Sequence, residues 1–341
     1  MSVVFLFSIV SIIFSQLLIP TTSIIPAKSL YAYDLPAVNL GFTSFLDGGP
    51  PAGPGIYFSQ YIQSYRSDEL KNQNGNKLLA PPMLPPDAPN PRESLNAWIG
   101  LTQFLYQSDK ELFAGGKWGL DVIIPVAMLD MDYRNNNPMF PQDNGGGMGD
   151  ILVGPYLQWD PIMGKNGPIF MHRVEFQMIF PTGEYDSGKA LNAGSGFFSF
   201  NPYWAGTLFI TPKMTASTRL HYLWNGENDE PNRKYTDPIT GLRADNTQAG
   251  QAFHANFAID YEVIPKTMRI GINGYYLKQI SDTQMNGNDV EDSREQVMGI
   301  GPGMVYHFSQ NDHLFFNAYF ESSAENRTEG DRFNLRWVHH F

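Results

Sequence analysis

The last ten residues, "RFNLRWVHHF" from Arg332 to Phe341, carry the pattern that decides the fold. Side chains alternate across an extended strand, so Phe333, Leu335, Trp337, His339 and Phe341 share one face, and Asn334, Arg336, Val338 and His340 share the other. A frayed tail has no use for such alternation. The strand needs a partner along each edge and an apolar medium against one face.

Working back from this end, the same period-two pattern recurs in segments of about ten residues. In "FMHRVEFQMIF" the residues Phe170, His172, Val174, Phe176, Met178 and Phe180 oppose Arg173, Glu175 and Gln177. In "MTASTRLHYLW" the apolar set Met214 to Trp224 opposes Thr215, Ser217, Arg219 and His221. In "QAFHANFAIDYEVI" Phe253, Phe257, Ile259 and Tyr261 oppose His254, Asn256, Asp260 and Glu262. Twelve such segments begin near Gly55, Ser94, Lys117, Asp150, Pro168, Gly196, Met214, Gln248, Thr267, Gln296, His313 and Asp331. Pro125, Pro155, Pro202 and Pro302 fall inside strands, where a missing N–H predicts bulges.

The connections alternate as well. Long stretches rich in Asn, Asp, Gly and Pro, such as "NGENDEPNRKYTDPITGLRADN" and "SDTQMNGNDVEDSRE", are expected after odd strands. Short ones such as "TPK", "IPKT" and "SQND" are expected after even strands. Long loops on one side and tight turns on the other, with an even strand number, define the outer-membrane type of barrel. The fold expected is therefore all-β: a transmembrane, antiparallel, up-and-down barrel of about twelve strands, with both ends of the mature chain periplasmic. An open edge in hydrocarbon would strand its backbone polar groups, so the last strand must close the ring. Phe333, Leu335 and Trp337 then face lipid, with Phe341 at the periplasmic rim. The ending also resembles the C-terminal aromatic signal read by the barrel assembly machinery.

Composition agrees with a wall that is greasy outside. Aromatic residues make up 14% of the 341 residues, and charged residues only 17%, against about 25% in a typical soluble domain. The absence of cysteine removes disulfides, thiolate metal sites and cysteine nucleophiles. A net charge of -11 argues against nucleic acid as a partner. The apolar run from Val3 to Ile19, followed by small and polar residues, reads as a secretory signal peptide over residues 1–32. No other stretch approaches a membrane helix, so further membrane contact falls to strands. Residues 33–54 mix apolar residues with Gly and Pro. They are expected to be a periplasmic leader or a plug in the barrel mouth, with Leu40, Phe42 and Phe45 as the plug's apolar anchors, and 55–341 to be the barrel.

Five stretches resemble the bacterial phenol meta-pathway degradation protein family: "NLGFTSFLDGGPPAGPGIYFSQY" (39–61), "GDILVGPYLQW" (149–159), "EFQMIFPTGEYD" (175–186), "GSGFFSFNPYWAGT" (194–207) and "LHYLWN" (220–225). The resemblance implies an outer-membrane channel that admits hydrophobic or aromatic compounds. It implies no catalytic residue and no particular solute.

The predicted lumen face carries Arg173, Glu175, Arg219, His221, Asn256, Asp260, Glu262, Arg269, Asn273 and Arg336. Such a mixed-charge wall fits a selective path for small solutes, and fits equally a salt-bridged interior without traffic. Two functions follow: passive uptake of small hydrophobic or aromatic molecules, or a structural, loop-presenting barrel with a closed lumen. The expected surroundings are outer-membrane lipid and lipopolysaccharide. An enzyme is not expected: a nucleophile needs a base and an orienting group on the surface the substrate reaches, and while His221 is expected to face the lumen, His172 faces lipid with no serine alternating beside it. His339 and His340 point to opposite faces and cannot chelate one ion together. The acidic pieces "GENDEP" and "NGNDVED" lack calcium-loop spacing, and "GGGMGD" lacks the Lys-Ser or Lys-Thr of a phosphate loop. No metal or cofactor is expected.

Overall fold

A computed structural model describes residues 35–50, 53–77, 93–133, 142–232, 235 and 243–341. The expected signal peptide lies outside these residues. Twelve antiparallel staves form one closed sheet. Three uninterrupted staves come first: β1 (Gly55–Leu70), β2 (Glu93–Phe113) and β3 (Gly116–Tyr133). The next three are broken into pieces. β4 comprises Gly146–Met148, Ile151–Gln158 and Ile162–Gly164; β5 comprises Gly167–Glu175 and Met178–Phe180; β6 comprises Ser199–Phe200 and Tyr203–Thr211. Then come β7 (Met214–Asn225), β8 (Ala252–Ile264), β9 (Met268–Gln279), β10 (Gln296–His307), β11 (Asp312–Glu325) and β12 (Thr328–His340).

The opening stretch closes the ring. β12 pairs with β1 from Tyr57↔His340 to Leu70↔Thr328, and with β11 along its other edge. Phe333, Leu335, Trp337 and Phe341 are exposed on the outer surface. Similar exposure of Trp98, Phe104, Met128, Phe253, Ile272 and Phe320 makes the outside an apolar band. Such a surface is stable only against lipid.

Two sequence expectations need correction. The long-after-odd rule fails at its last case, because β11 and β12 are joined by residues 326–327 alone. Asn326 takes the left-handed conformation there (φ 53°), and its amide donates to the carbonyls of Asp292 and Arg294, tying the short tip to the neighbouring loop. The bulges expected at four prolines reduce to one. Between the pairs Ile123↔Leu152 and Val126↔Met148, β4 spends one residue more than β3, which places a bulge opposite Pro125. At Pro155, Pro202 and Pro302 the register is unbroken. Proline there removes a ladder donor without inserting a residue. The ladder is instead interrupted at a series of adjacent staves: β4 at 149–150, β5 at 176–177 and β6 at 201–202.

Above the long-loop end, Glu227–Asn228, Thr247–Gln248, Gln284–Met285 and Asn288–Asp289 form a small separate sheet. The even-to-odd turns are tight. Ala114 and Gly115, both with positive φ, make the two-residue hairpin between β2 and β3.

Candidate functional site: the lumen and its plug

Residues 35–50 run inside the barrel, below the mouth and across the lumen. Leu40, Phe42 and Phe45 are buried, Phe45 to 1%. Phe45 packs with Tyr57, Leu105, Tyr156, Val305, Phe315 and Val338, while Leu40, with Leu35 and Val38, packs against Tyr275, Leu277, Val297 and Tyr319.

Polar contacts fix the backbone of this segment. Gly41 N–H donates to Asn256 Oδ1 at 2.9 Å, and Asn256 Nδ2 donates to the Asn39 carbonyl at 3.0 Å. Asn334 Nδ2 reaches the Gly41 carbonyl at 3.2 Å, and Gln63 Nε2 the Leu40 carbonyl at 3.4 Å. Further along, Gly48 N–H donates to Thr207 Oγ1 at 2.9 Å and Gln158 Nε2 donates to the Gly48 carbonyl at 3.1 Å. Between them Asp47 accepts two parallel bonds from Arg219, at 2.7 and 2.6 Å. Both partners are buried, and a two-pronged arginine–carboxylate pair is among the strongest side-chain contacts. Two glycines make the close approach possible. Gly41 has φ 79°, and a Cβ there would lie 2.5 Å from the Tyr319 ring; at Gly48 a Cβ would lie 2.4 Å from the Met171 carbonyl oxygen and 2.5 Å from the Thr207 nitrogen.

These tethers come from β1, β4, β6, β7, β8 and β12. Among the described residues, no group of 35–50 hydrogen-bonds to β2 or β3. That side of the lumen is different in kind: apart from the buried pair Gln103 and Asp121, its inward residues include Leu95, Ala97, Ile99, Leu101 and Leu105 on β2, Ile123, Pro125, Ala127 and Leu129 on β3, and Leu152 on β4. Between this strip and the plug lies a cavity of about 300 Å³. A space of that size accepts a small aromatic molecule.

The residues expected to face the lumen occupy the remaining arc. Arg173, Glu175, Arg219, His221, Asn256, Asp260, Arg269 and Arg336 are all buried inside the wall, as is Asn273. Glu262 is half-buried at the β8–β9 turn, where its carboxylate accepts the Lys266 N–H at 2.7 Å. It therefore belongs to the rim rather than to the lumen proper. Arg269 pairs with Asp260, which also accepts from Thr215. The Arg219 guanidinium lies over the Tyr203 ring, 4.2 Å from its centroid, and Tyr203 donates to Glu175. His221 stacks on His254 with centroids 4.0 Å apart and neighbours Tyr203. His172, half-buried on the outer side, stacks on Trp159. Among the described residues no group of three or more His, Asp or Glu has the arrangement of a metal site.

Three lumen features escaped sequence reading. Asp47 lies in the segment before β1, where no periodicity marks a partner. Asp121 is the polar residue that precedes the apolar run Val122–Leu129 of β3, and it accepts from Gln103 at 2.7 Å. The apolar strip did leave a signal, since "SLNAWIGLTQFLY" and "LDVIIPVAML" are apolar at both parities. A strand greasy on both faces touches lipid on one and something apolar on the other.

Fold and lumen together define a barrel of outer-membrane type with residues 35–50 packed inside it. The family described as "Putative MetA-pathway of phenol degradation" matches residues 67–337, and the chain belongs to that family. No curated protein matches the sequence. Among solved structures, an outer-membrane channel from Pseudomonas putida F1 is 17% identical and aligns over 89% of this chain and 100% of its own, with a TM-score of 0.69. That likeness establishes a shared fold. The β-domain of the Bordetella autotransporter BrkA (10% identity, 84% and 100% coverage, TM-score 0.46) is more distant. So is the translocator domain of the autotransporter NalP from Neisseria meningitidis (8%, 85% and 89%, 0.45).

Proposed function

We propose that this chain is a channel of the bacterial outer membrane for passive uptake of small hydrophobic or aromatic molecules. The observation that carries the reading is the apolar strip of β2 and β3, continued by Leu152 of β4, facing a side of the plug that makes no hydrogen bond to β2 or β3. A salt-bridged, closed barrel has no reason to place ten apolar side chains toward its own interior. A hydrophobic solute desolvates favourably along such a strip, at about 25 cal/mol per Å² of apolar surface covered. The charged arc opposite repels it and holds the plug. In this reading residues 1–32 direct export, the C-terminal Phe333, Leu335, Trp337 and Phe341 present the signal read by the assembly machinery, and the outer surface meets lipid and lipopolysaccharide.

The test is uptake of radiolabelled toluene or phenol across bilayers whose outer leaflet is lipopolysaccharide, which by itself retards such solutes. The refolded chain is expected to raise uptake well above the protein-free rate, and Ile123→Arg, which places a charge on the strip, to return it toward that rate. Wild-type uptake equal to the protein-free rate would instead favour a closed barrel whose loops carry the function.

A further inference from the structure

Six arginines are buried within the described residues: Arg173, Arg219, Arg269, Arg327, Arg332 and Arg336. Five have a carboxylate partner, respectively Glu175, Asp47, Asp260, Glu295 and Glu321. Arg336 has none. Its side chain leaves only 9% of the residue exposed, its Nε has no hydrogen-bond partner, and its surroundings are rings. The guanidinium carbon stands 3.7 Å from the centroid of Phe315 and 5.7 Å from that of Tyr61. Arg336 also lines the cavity beside the apolar strip, as do Tyr57, Leu105 and Val338.

A desolvated cation without a counter-charge is costly, and the pattern of the other five shows that this lumen otherwise supplies one. Ring faces stabilise the cation partially and hold its planar fork in place, yet they offer no acceptor to its N–H groups. We propose that Arg336 is a binding site for the anionic head of an amphipathic solute: a carboxylate attached to an aromatic or alkyl body that lies along the β2–β3 strip. The guanidinium fork matches a carboxylate with two parallel hydrogen bonds, and lumen arginines serve anion selection in other pores. This rests on the channel reading above and narrows it, from hydrophobic molecules in general to hydrophobic acids.

The experiment compares 4-ethylbenzoate with 4-ethylbenzyl alcohol, which share shape and differ in charge, as blockers of single-channel current through the full-length mature chain in a planar bilayer. Wild type is expected to be half-blocked at a benzoate concentration roughly ten- to a hundredfold below that of the alcohol, the size of a charge-assisted hydrogen-bonded contact. Arg336→Gln should raise the benzoate value by a similar factor and leave the alcohol value unchanged, while Arg336→Lys should retain most of the preference. Equal block of wild type by both probes overturns the anion site and leaves the channel standing; this comparison needs no variant and so does not depend on the folding of Arg336→Gln. Preference for benzoate that survives in folded Arg336→Gln overturns the assignment to this residue. Absence of block by either probe, together with uptake at the protein-free rate, overturns the channel reading and the acid site with it.

Discussion

At the scale of single residues, the plug is held by geometry that side-chain size controls. Asp47 and Arg219 meet at two oxygens in a buried setting, and Gly48 lies against the backbone of Met171 and Thr207 with no room for a methyl group. Backbone cannot step aside as a long side chain can. Gly48→Ala is therefore expected to displace residues 45–50 from the wall, at a cost of about 1 to 3 kcal/mol for overpacking. The barrel itself should keep its heat-modifiable migration in gels, because the clash falls on a single ladder pair, Met171↔Thr207, of the β5–β6 seam. Single-channel conductance should rise, and protease should clip the N-terminal segment faster than in wild type. A variant with wild-type conductance and protease resistance would mean that Gly48 is not a point of attachment. Residue identity was legible where period two operates: Arg173, Glu175, Arg219, Asn256 and Asp260 are inside because their neighbours at odd spacing are greasy. It was not legible for Asp47, since its contact with Arg219 spans a sequence separation of 172 that no local pattern encodes.

Elements differ in how continuously they are paired. β12 joins β1 along nearly its whole length, and β2 joins β3 over an even longer run. From β3 to β6 the wall is weaker, because Pro125, Pro155 and Pro202 each withhold a donor and the regular ladder thins at 149–150, 176–177 and 201–202 to single backbone bonds such as those from Gly149, Phe176 and Asn201. Amide exchange in detergent is thus expected to be faster in peptides covering 148–158, 174–180 and 198–204 than in those covering 57–66 and 331–340. The contrast should reach roughly tenfold or more, since each lost ladder bond removes about 1 kcal/mol of local protection and several lie together. Uniform protection around the ring would remove this distinction. Strand number and starts could be read from alternation and turn chemistry. Of the four prolines expected to bulge, Pro125 has a bulge opposite it, Pro155 and Pro202 lie at breaks with no inserted residue, and Pro302 leaves its strand whole. A proline deletes one hydrogen bond, and whether an extra residue also enters depends on the partner strand, which a single segment does not reveal.

For the molecule as a whole, the barrel has two dissimilar interior arcs, and the plug leans on one of them. Staves β1, β4, β6, β7, β8 and β12 carry the side chains that bind 35–50; β2 and β3, with Leu152 of β4, carry the apolar strip that leaves a gap. Removing Tyr33 to Pro54 should leave the closing β1–β12 seam intact and raise conductance severalfold, since the plug is the bulk that fills the polar arc. An unchanged conductance would show that the narrowest point lies elsewhere in the wall or loops. The barrel class was legible from the sequence because closure in lipid leaves few alternatives. The division of the lumen was half-legible, because strands apolar at both parities announce a second apolar contact without saying that it is the lumen's open side.

The most direct test of this account is where a hydrophobic solute comes to rest. Crystals of the full mature chain soaked with 4-bromotoluene would locate bromine by its anomalous scattering. The predicted position is between the plug and the β2–β3 strip, in contact with Leu101, Leu105 or Ile123. Bromine found only on the outer wall, or only among the charged side chains of β5 to β12, would contradict an apolar path through the lumen.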